Sequence, residues 1–395
     1  MKARSVIAAC CALGLVAAAC GDDDDGATDA TDATTAQTEA TEAPDSTDED
    51  DDMSEDDDMS EDDTSGVPED WPDSLVFGFV PSQEQAELQD DIQPFIDVLE
   101  AGLGIDVEGV VTTDYTGLVT AMGANEADLG AFGPFGYVLG KDNFGNIEAL
   151  IQSIRFGSAT FHGQWFTNDP SICTEAPVEG TALINQDGEI VQVDALDSVA
   201  LQVGVAFNDD GDKEFSDVNE DGTPISPGSS CIGDITQVAG EEVAFVAESS
   251  TSGYLFPALE LSNAGIDPQS DITPVFAGSH DATVTAVYNG DNKFGLSFDD
   301  ARRNIRDVSP DVGEQVIVFS ITEEVPNDVV AVRSDLPESL KEAVYSTVEA
   351  YLETEEGQEI FDNIYGWTDV RPADESDFDI VREAAATLGI SKPPG

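Results

Sequence analysis

Positive charge is scarce in this chain: 14 lysines and arginines stand against 83 aspartates and glutamates, a formal net charge of −69 at pH 7 over 395 residues. A field of that sign repels a phosphate backbone, so nucleic acid is excluded as a partner. Histidine is scarcer still. There are two, neither at ligand spacing to a cysteine, and a zinc site is excluded with them. The chain also lacks a nucleophile elbow, paired histidines and a carboxylate–histidine metal set, the groups that hydrolytic chemistry needs. The apolar run from Val6 to Ala19 is too short to span a bilayer comfortably and is soon followed by acid, so it is not a stable transmembrane helix.

That run reads instead as an export signal, with Lys2 and Arg4 ahead of it and small residues at its end. Ala17-Ala18-Ala19-Cys20 resembles a bacterial lipobox, with alanine where a large aliphatic residue is usual. Lipidation would make Cys20 the new N-terminus and hold the protein on the outer face of the cytoplasmic membrane. The plainer alternative is an Ala-x-Ala cleavage site that happens to have a cysteine next. Residues 21–70 hold 23 of the acidic residues and no lysine or arginine. Such a segment buries nothing, so a disordered acidic linker is expected, spanning roughly 40 Å even as an ideal coil. An acidic interaction tail is the alternative. Most of the negative charge lies beyond it and reads as a solubility adaptation, suited to a salty habitat that screens the repulsion.

Of the five cysteines, Cys10, Cys11 and Cys20 lie at or before the cleavage point. Cys173 and Cys231 remain, an even pair in an exported chain, so a disulfide is expected, worth about 4 kcal/mol on loop entropy. Residues 71–395 exceed what one core usually holds, and two lobes are expected. Strand-type runs at 75–80, 105–112 and 127–132 alternate with helix-type patterns at 84–101 and 115–124. That is the rhythm of a mainly parallel α/β sheet. From Thr167 to Gly240 the helical period disappears and Gly, Asp, Asn and Pro crowd together, the texture of a β-rich insertion. Strands at 273–276 and 315–321 and helices at 281–289, 337–361 and 377–388 resume the pattern. Within the insertion, Asp217, Asn219 and Asp221 fit the opening of an EF-hand loop, but Gly228 stands where the bidentate glutamate belongs. A weak calcium site and a solvated acidic turn both remain open.

The sharpest local signal is Ser249-Ser250-Thr251-Ser252-Gly253-Tyr254, between an apolar strand (243–247) and a helical pattern from Leu255 to Leu261. The first N–H groups of a helix lack internal partners and suit an anion, and the hydroxyls add donors without charge. An ordinary N-cap uses the same residues.

Other stretches join it in sequence order: Phe77-Gly78-Phe79-Val80-Pro81-Ser82, Thr113-Asp114-Tyr115, Asp128-Leu129-Gly130-Ala131-Phe132-Gly133-Pro134, Ala277-Gly278-Ser279-His280-Asp281-Ala282, Val325-Pro326-Asn327-Asp328 and Arg333-Ser334-Asp335-Leu336-Pro337. In order and spacing they resemble the phosphate/phosphite/phosphonate-binding proteins of ABC importers, which have the type II periplasmic-binding-protein fold. The resemblance implies two α/β lobes, 74–160 plus 322–395 and 161–321, with the insertion at about 167–240 in the second. Two crossing strands near 161–166 and 315–321 would join them. It implies a phosphorus oxyanion on Ser250, Thr251 and Ser252, with Tyr115 and His280 beside it and Asp299 or Asp300 facing the substituent on phosphorus. Phe161-His162-Gly163 departs from the usual Tyr-x-Ser and puts His162 in or near the cleft. Histidine titrates near neutrality, so His280 is expected to add a proton-dependent charge. Tyr137 reads as core or rim. A permease partner, a monomer, no cofactor and no enzymatic activity complete the expectation. The alternatives are the same fold for another small anion, or a secreted phosphoesterase.

Overall fold

Short apolar runs rich in Val, Ile and Phe become strands, and they sort the chain into two sheets. The structure, a computed structural model, describes residues 66–186, 189–194, 203, 205–207, 213–215, 218, 224–390 and 392. The export signal, Cys20, most of the acidic segment and the calcium candidates Asp217, Asn219 and Asp221 lie outside these residues.

The first part runs β1 (Ser74–Phe79), α1 (Gln85–Asp91), α2 (Gln93–Leu103), β2 (Asp106–Val111), α3 (Tyr115–Gly123), β3 (Leu129–Phe132), α4 (Pro134–Phe144) and β4 (Ile147–Ile154). β5 (Thr160–Thr167) crosses to the second sheet. β6 (Val178–Glu179), β7 (Thr181–Gln186), β8 (Glu189–Asp194), β9 (Val205–Phe207), β10 (Lys213–Phe215) and β11 (Ser229–Ser230) belong to the insertion. Then come β12 (Glu242–Phe245), α5 (Phe256–Asn263), β13 (Thr273–Phe276), α6 (His280–Tyr288), β14 (Phe294–Phe298), α7 (Val312–Gln315) and β15 (Ile317–Pro326). β16 (Val329–Arg333), α8 (Glu338–Leu352), α9 (Glu355–Ile364), β17 (Asp369–Pro372) and α10 (Asp379–Thr387) return to the first sheet.

The sheet orders are β17-β4-β16-β3-β1-β2 and β13-β12-β14-β5-β15-β11-β6. Neither is mainly parallel, as the strand–helix rhythm suggests. Each has a parallel group, β2-β1-β3 or β13-β12-β14, flanked by antiparallel strands. The reason is the path between the sheets: β5 carries the chain out of the first sheet, and β15 carries it back alongside β5 in the opposite direction. β15 then passes into β16 through Asn327 and Asp328 alone, without the crossover helix that parallel pairing needs. The helical pattern at 84–101 is also two helices. Pro94 fits only a first turn, so α1 ends and α2 begins around Ile92. The stretch at 337–361 likewise breaks at Thr354, whose hydroxyl caps α9 by accepting from Gly357 N at 3.0 Å.

β5 and β15 pair antiparallel from Thr167–Ile317 to Thr160–Pro326 and form the two crossings. Where they meet the first sheet, Asn327 ties them together. Its amide nitrogen Nδ2 donates to Ser153 O (3.0 Å) and Ser158 O (2.7 Å), and its backbone N to Ala159 O (2.9 Å). Cys173 and Cys231 form a disulfide with Cα atoms 5.5 Å apart. β6 and β11 extend the second sheet, whereas β7–β8 and β9–β10 are separate two-stranded pairs.

Candidate functional site

In open α/β sheets the carboxyl ends of parallel strands face the crevice where ligands bind. Here four such ends lead into helix starts that border one cavity: β2 into Tyr115, β3 into Gly133-Pro134, β12 into Ser250–Ser252 and β13 into His280. Asp114, Ser250 and Ser279 are the caps, accepting from Gly117 N, Gly253 N and Ala282 N. Each start turns the positive end of a helix dipole toward the cavity, although some first-turn N–H groups, those of Phe135 and His280 among them, are already paired. The cavity measures about 620 Å³, counted to its open mouth.

Thr251–Leu255 form one wide turn with i→i+5 bonding, Leu255 N to Ser250 O at 3.0 Å, before α5 begins. Pro257 lies in the first turn of α5 and carries no N–H to complete a tighter ladder. The three hydroxyls differ in occupation. Ser250 Oγ accepts from Gly253 N at 3.1 Å, and Thr251 Oγ1 accepts from Phe135 N at 2.9 Å. Both keep their own proton to donate, and Ser252 serves no such cap. The Phe135 bond joins the two lobes, as do His280 N to Ser82 O at 2.9 Å and the Thr116–Ser249 hydroxyl pair at 3.3 Å.

Tyr115 borders the cavity with its hydroxyl buried and, among the described residues, without a hydrogen-bond partner; Ser82 Oγ is in the same state. Burial, reinforced by Asp328 and Asp281, pushes the Tyr115 phenol well above its usual range, so it remains an O–H donor. His280 is on the wall too, 6% exposed, with Nδ1 at 2.8 Å from Ser297 Oγ and its ring edge-on to Phe298. Burial, then the Arg155 charge, pushes its pKa down to about 3. The expected proton-dependent charge near neutrality is therefore absent, because a desolvated ring beside a guanidinium does not hold a second proton.

Asp299, Asp300 and His162 are not on the cavity wall, against the expectation from sequence. Asp300 caps the turn at 301–305 through Arg302 N and holds the fully buried Arg302 guanidinium, with Nε–Oδ1 at 2.9 Å and Nη2–Oδ2 at 2.6 Å. Arg302 in turn donates to Ser229 O and Val316 O. Asp299 Oδ1 accepts from His162 N at 3.1 Å, and its Oδ2 lies 3.6 Å from His162 Nδ1. Tyr137 is core, fully buried, with its hydroxyl on Glu375.

Sequence reasoning missed Ser82, Arg155, Asp328 and Arg303, all on the wall. Arg155 is 6% exposed, its guanidinium stacked over Phe298 (4.6 Å) and Phe161 (5.3 Å), and its Nε has no partner among the described residues. Asp328 accepts from Trp367 Nε1 at 3.2 Å; burial raises its pKa and Arg155 opposes the rise. A usable signal did exist. An arginine directly after the apolar run ending in Ile154 is conspicuous in a chain with only 14 basic residues.

Known proteins share this architecture. The phosphate-import protein PhnD of Mycolicibacterium smegmatis is 27% identical over 243 residues, 60% of this chain. The chain spans 58% of that relative, less than two thirds of its length. The phosphonates-binding periplasmic protein of Escherichia coli is 20% identical over 312 residues, 79% of this chain and 76% of that one. PhnD1 of Prochlorococcus marinus, solved in complex with methylphosphonate, shares the fold at 19% identity and a TM-score of 0.59, covering 81% of this chain and 99% of that chain. A binding-protein component of an ABC phosphonate transporter from Pseudomonas aeruginosa does so at 15% identity and 0.58, covering 80% and 86%. Residues 77–378 match the family described as ABC transporter, phosphonate, periplasmic substrate-binding protein, and the chain belongs to that family.

Proposed function

We propose that this protein is the extracytoplasmic solute-binding subunit of an ABC importer, capturing a phosphorus oxyanion (phosphonate, phosphate or phosphite) between its lobes and delivering it to the permease. The observation that carries the reading is the imbalance of free groups in the cavity. Tyr115, Ser82 and Ser252 hydroxyls and the Arg155 guanidinium face it as donors, at the converging starts of four helices. Hydrogen bonds to a charged acceptor contribute about 1.5–3 kcal/mol each, so four or five suffice for micromolar binding, which needs about 8 kcal/mol net. Local donors are needed because the chain as a whole repels anions.

The oxyanion contacts in this reading are Ser250, Thr251, Ser252, Tyr115 and His280, joined by Ser82. Neutral His280 acts as a polar wall rather than a charge. An export signal, lipidation at Cys20 and the acidic segment up to residue 70 fit a monomer tethered to the outer face of the cytoplasmic membrane. The test is calorimetric titration with phosphate, phosphite, methylphosphonate and 2-aminoethylphosphonate, on the wild type and on Ser252→Ala. Ser252 is the informative position because Ser250 and Thr251 also accept structural bonds. Binding of at least one ligand, weakened in the variant, is expected; silence across all four overturns the reading.

A further inference from the structure

Two guanidinium groups meet in one corner of the cavity. Gly366, at φ +68°, marks the place: a Cβ there would clash with Arg303 Nη2 and stand 3.7 Å from Arg155 Nη2. Both arginines and Gly366 border the cavity. Like charges this close oppose each other unless an anion lies between them; burial first, and then Arg303 against the pull of Asp328, lowers the pKa of Arg155. The carboxylates nearby, Asp328 first, offset the repulsion through space without making an ion pair with Arg155. Asp362 approaches Arg303 at 3.7 Å, but its side chain is 53% exposed. Asp328 is engaged by Trp367 and Asp299 by His162, and no carboxylate among the described residues lies within 4 Å of Arg155. Phe161 and Phe298 cover Arg155, so its donor edge is what remains for a ligand.

We propose that Arg155 and Arg303, converging beside Gly366, form a second anion subsite in this cavity, and that the ligand is a phosphonate or phosphate ester whose substituent ends in a carboxylate. The inference rests on the oxyanion-binding reading and names the substituent that reading leaves open. A planar carboxylate matches the planar fork of a guanidinium, accepts two parallel bonds from it, and would place an acceptor beside Arg155, whose Nε has no partner among the described residues. An aminoalkyl substituent would instead bring a third positive charge into this corner.

The experiment compares methylphosphonate with phosphonoacetate, which differs by one carboxylate, on the wild type, Arg155→Met and Arg303→Gln. Phosphonoacetate is expected to bind the wild type at least about tenfold more tightly, the size of a single charge-assisted bond. That ratio should fall toward one in both variants, whatever happens to the absolute affinities, while Ser252→Ala weakens the two ligands by the same factor. Methylphosphonate binding as tightly as phosphonoacetate to the wild type overturns the subsite and leaves the oxyanion reading standing. So does a ratio that survives in both variants. A wild type that binds no phosphorus oxyanion overturns both.

Discussion

Replacing Tyr115 by phenylalanine should move stability and affinity in opposite directions. The hydroxyl is buried and unpartnered among the described residues, and the residue is 4% exposed. A buried hydroxyl without a partner costs about 1–3 kcal/mol relative to its hydrated state in the unfolded chain. Tyr115→Phe removes the cost and leaves the ring packed, so the ligand-free protein should gain up to that amount. For a chain somewhat larger than those with about 2–4 °C per kcal/mol, the melting temperature should rise by a few degrees. With the ligand bound, the same hydroxyl donates to a charged oxygen, a bond worth about 1.5–3 kcal/mol, so Kd should rise about 10- to 100-fold. Thermal unfolding without ligand and calorimetry with the best-bound oxyanion read the two effects separately. A variant that melts lower without ligand and binds as tightly as the wild type would refute the reasoning, because the hydroxyl would then serve the fold.

His280 and Arg302 give two further tests. With a folded pKa of about 3 against a usual 6.5, His280 is neutral in the folded chain while the unfolded chain takes up a proton. Its contribution is thus complete above about pH 6.5 and lost as pH falls toward 3, by about 1.4 kcal/mol per pH unit. Asp281, pushed up to about 6, and Glu260, pushed up to about 7, run the opposite way, gaining as pH falls. His280→Asn should therefore lose less stability than the wild type between about pH 6.5 and 4.5 in urea unfolding; equal losses would contradict the assignment. Arg302→Met strands the fully buried Asp300 carboxylate and should cost about 3–5 kcal/mol by chemical denaturation, with part recovered in the Asp300→Asn double variant. A cost below about 1 kcal/mol would mean that water reaches the pair.

Local chemistry was legible where it is written in consecutive residues. The Ser250–Ser252 turn, the Asp114-Tyr115 start and the Ser279-His280 start are cap-and-helix motifs, and the structure draws all of them to one cavity. The cysteine pair was legible by count instead, as the two cysteines left beyond Cys20, although 58 residues separate them. Arg155, Asp328 and Arg303 were harder to read. They sit after β4, after β15 and in the turn beyond β14, and only the paired crossings β5 and β15 bring those three segments together.

Composition, caps and apolar period by themselves determined that this chain repels polyanions, folds as two α/β lobes and starts several helices at Ser or Asp caps. Those are properties of neighbouring residues and of the summed charge, and they do not depend on how distant segments meet. Tertiary structure decided what each polar group is free to do. It turned Asp300 onto Arg302 and away from the cavity, stripped His280 of its second proton by burying it near Arg155, and left the Tyr115 and Ser82 hydroxyls and Arg155 Nε without a hydrogen-bond partner among the described residues. Burial and non-local pairing set these states, since desolvation and the nearest opposing charge outweigh the intrinsic chemistry of a side chain.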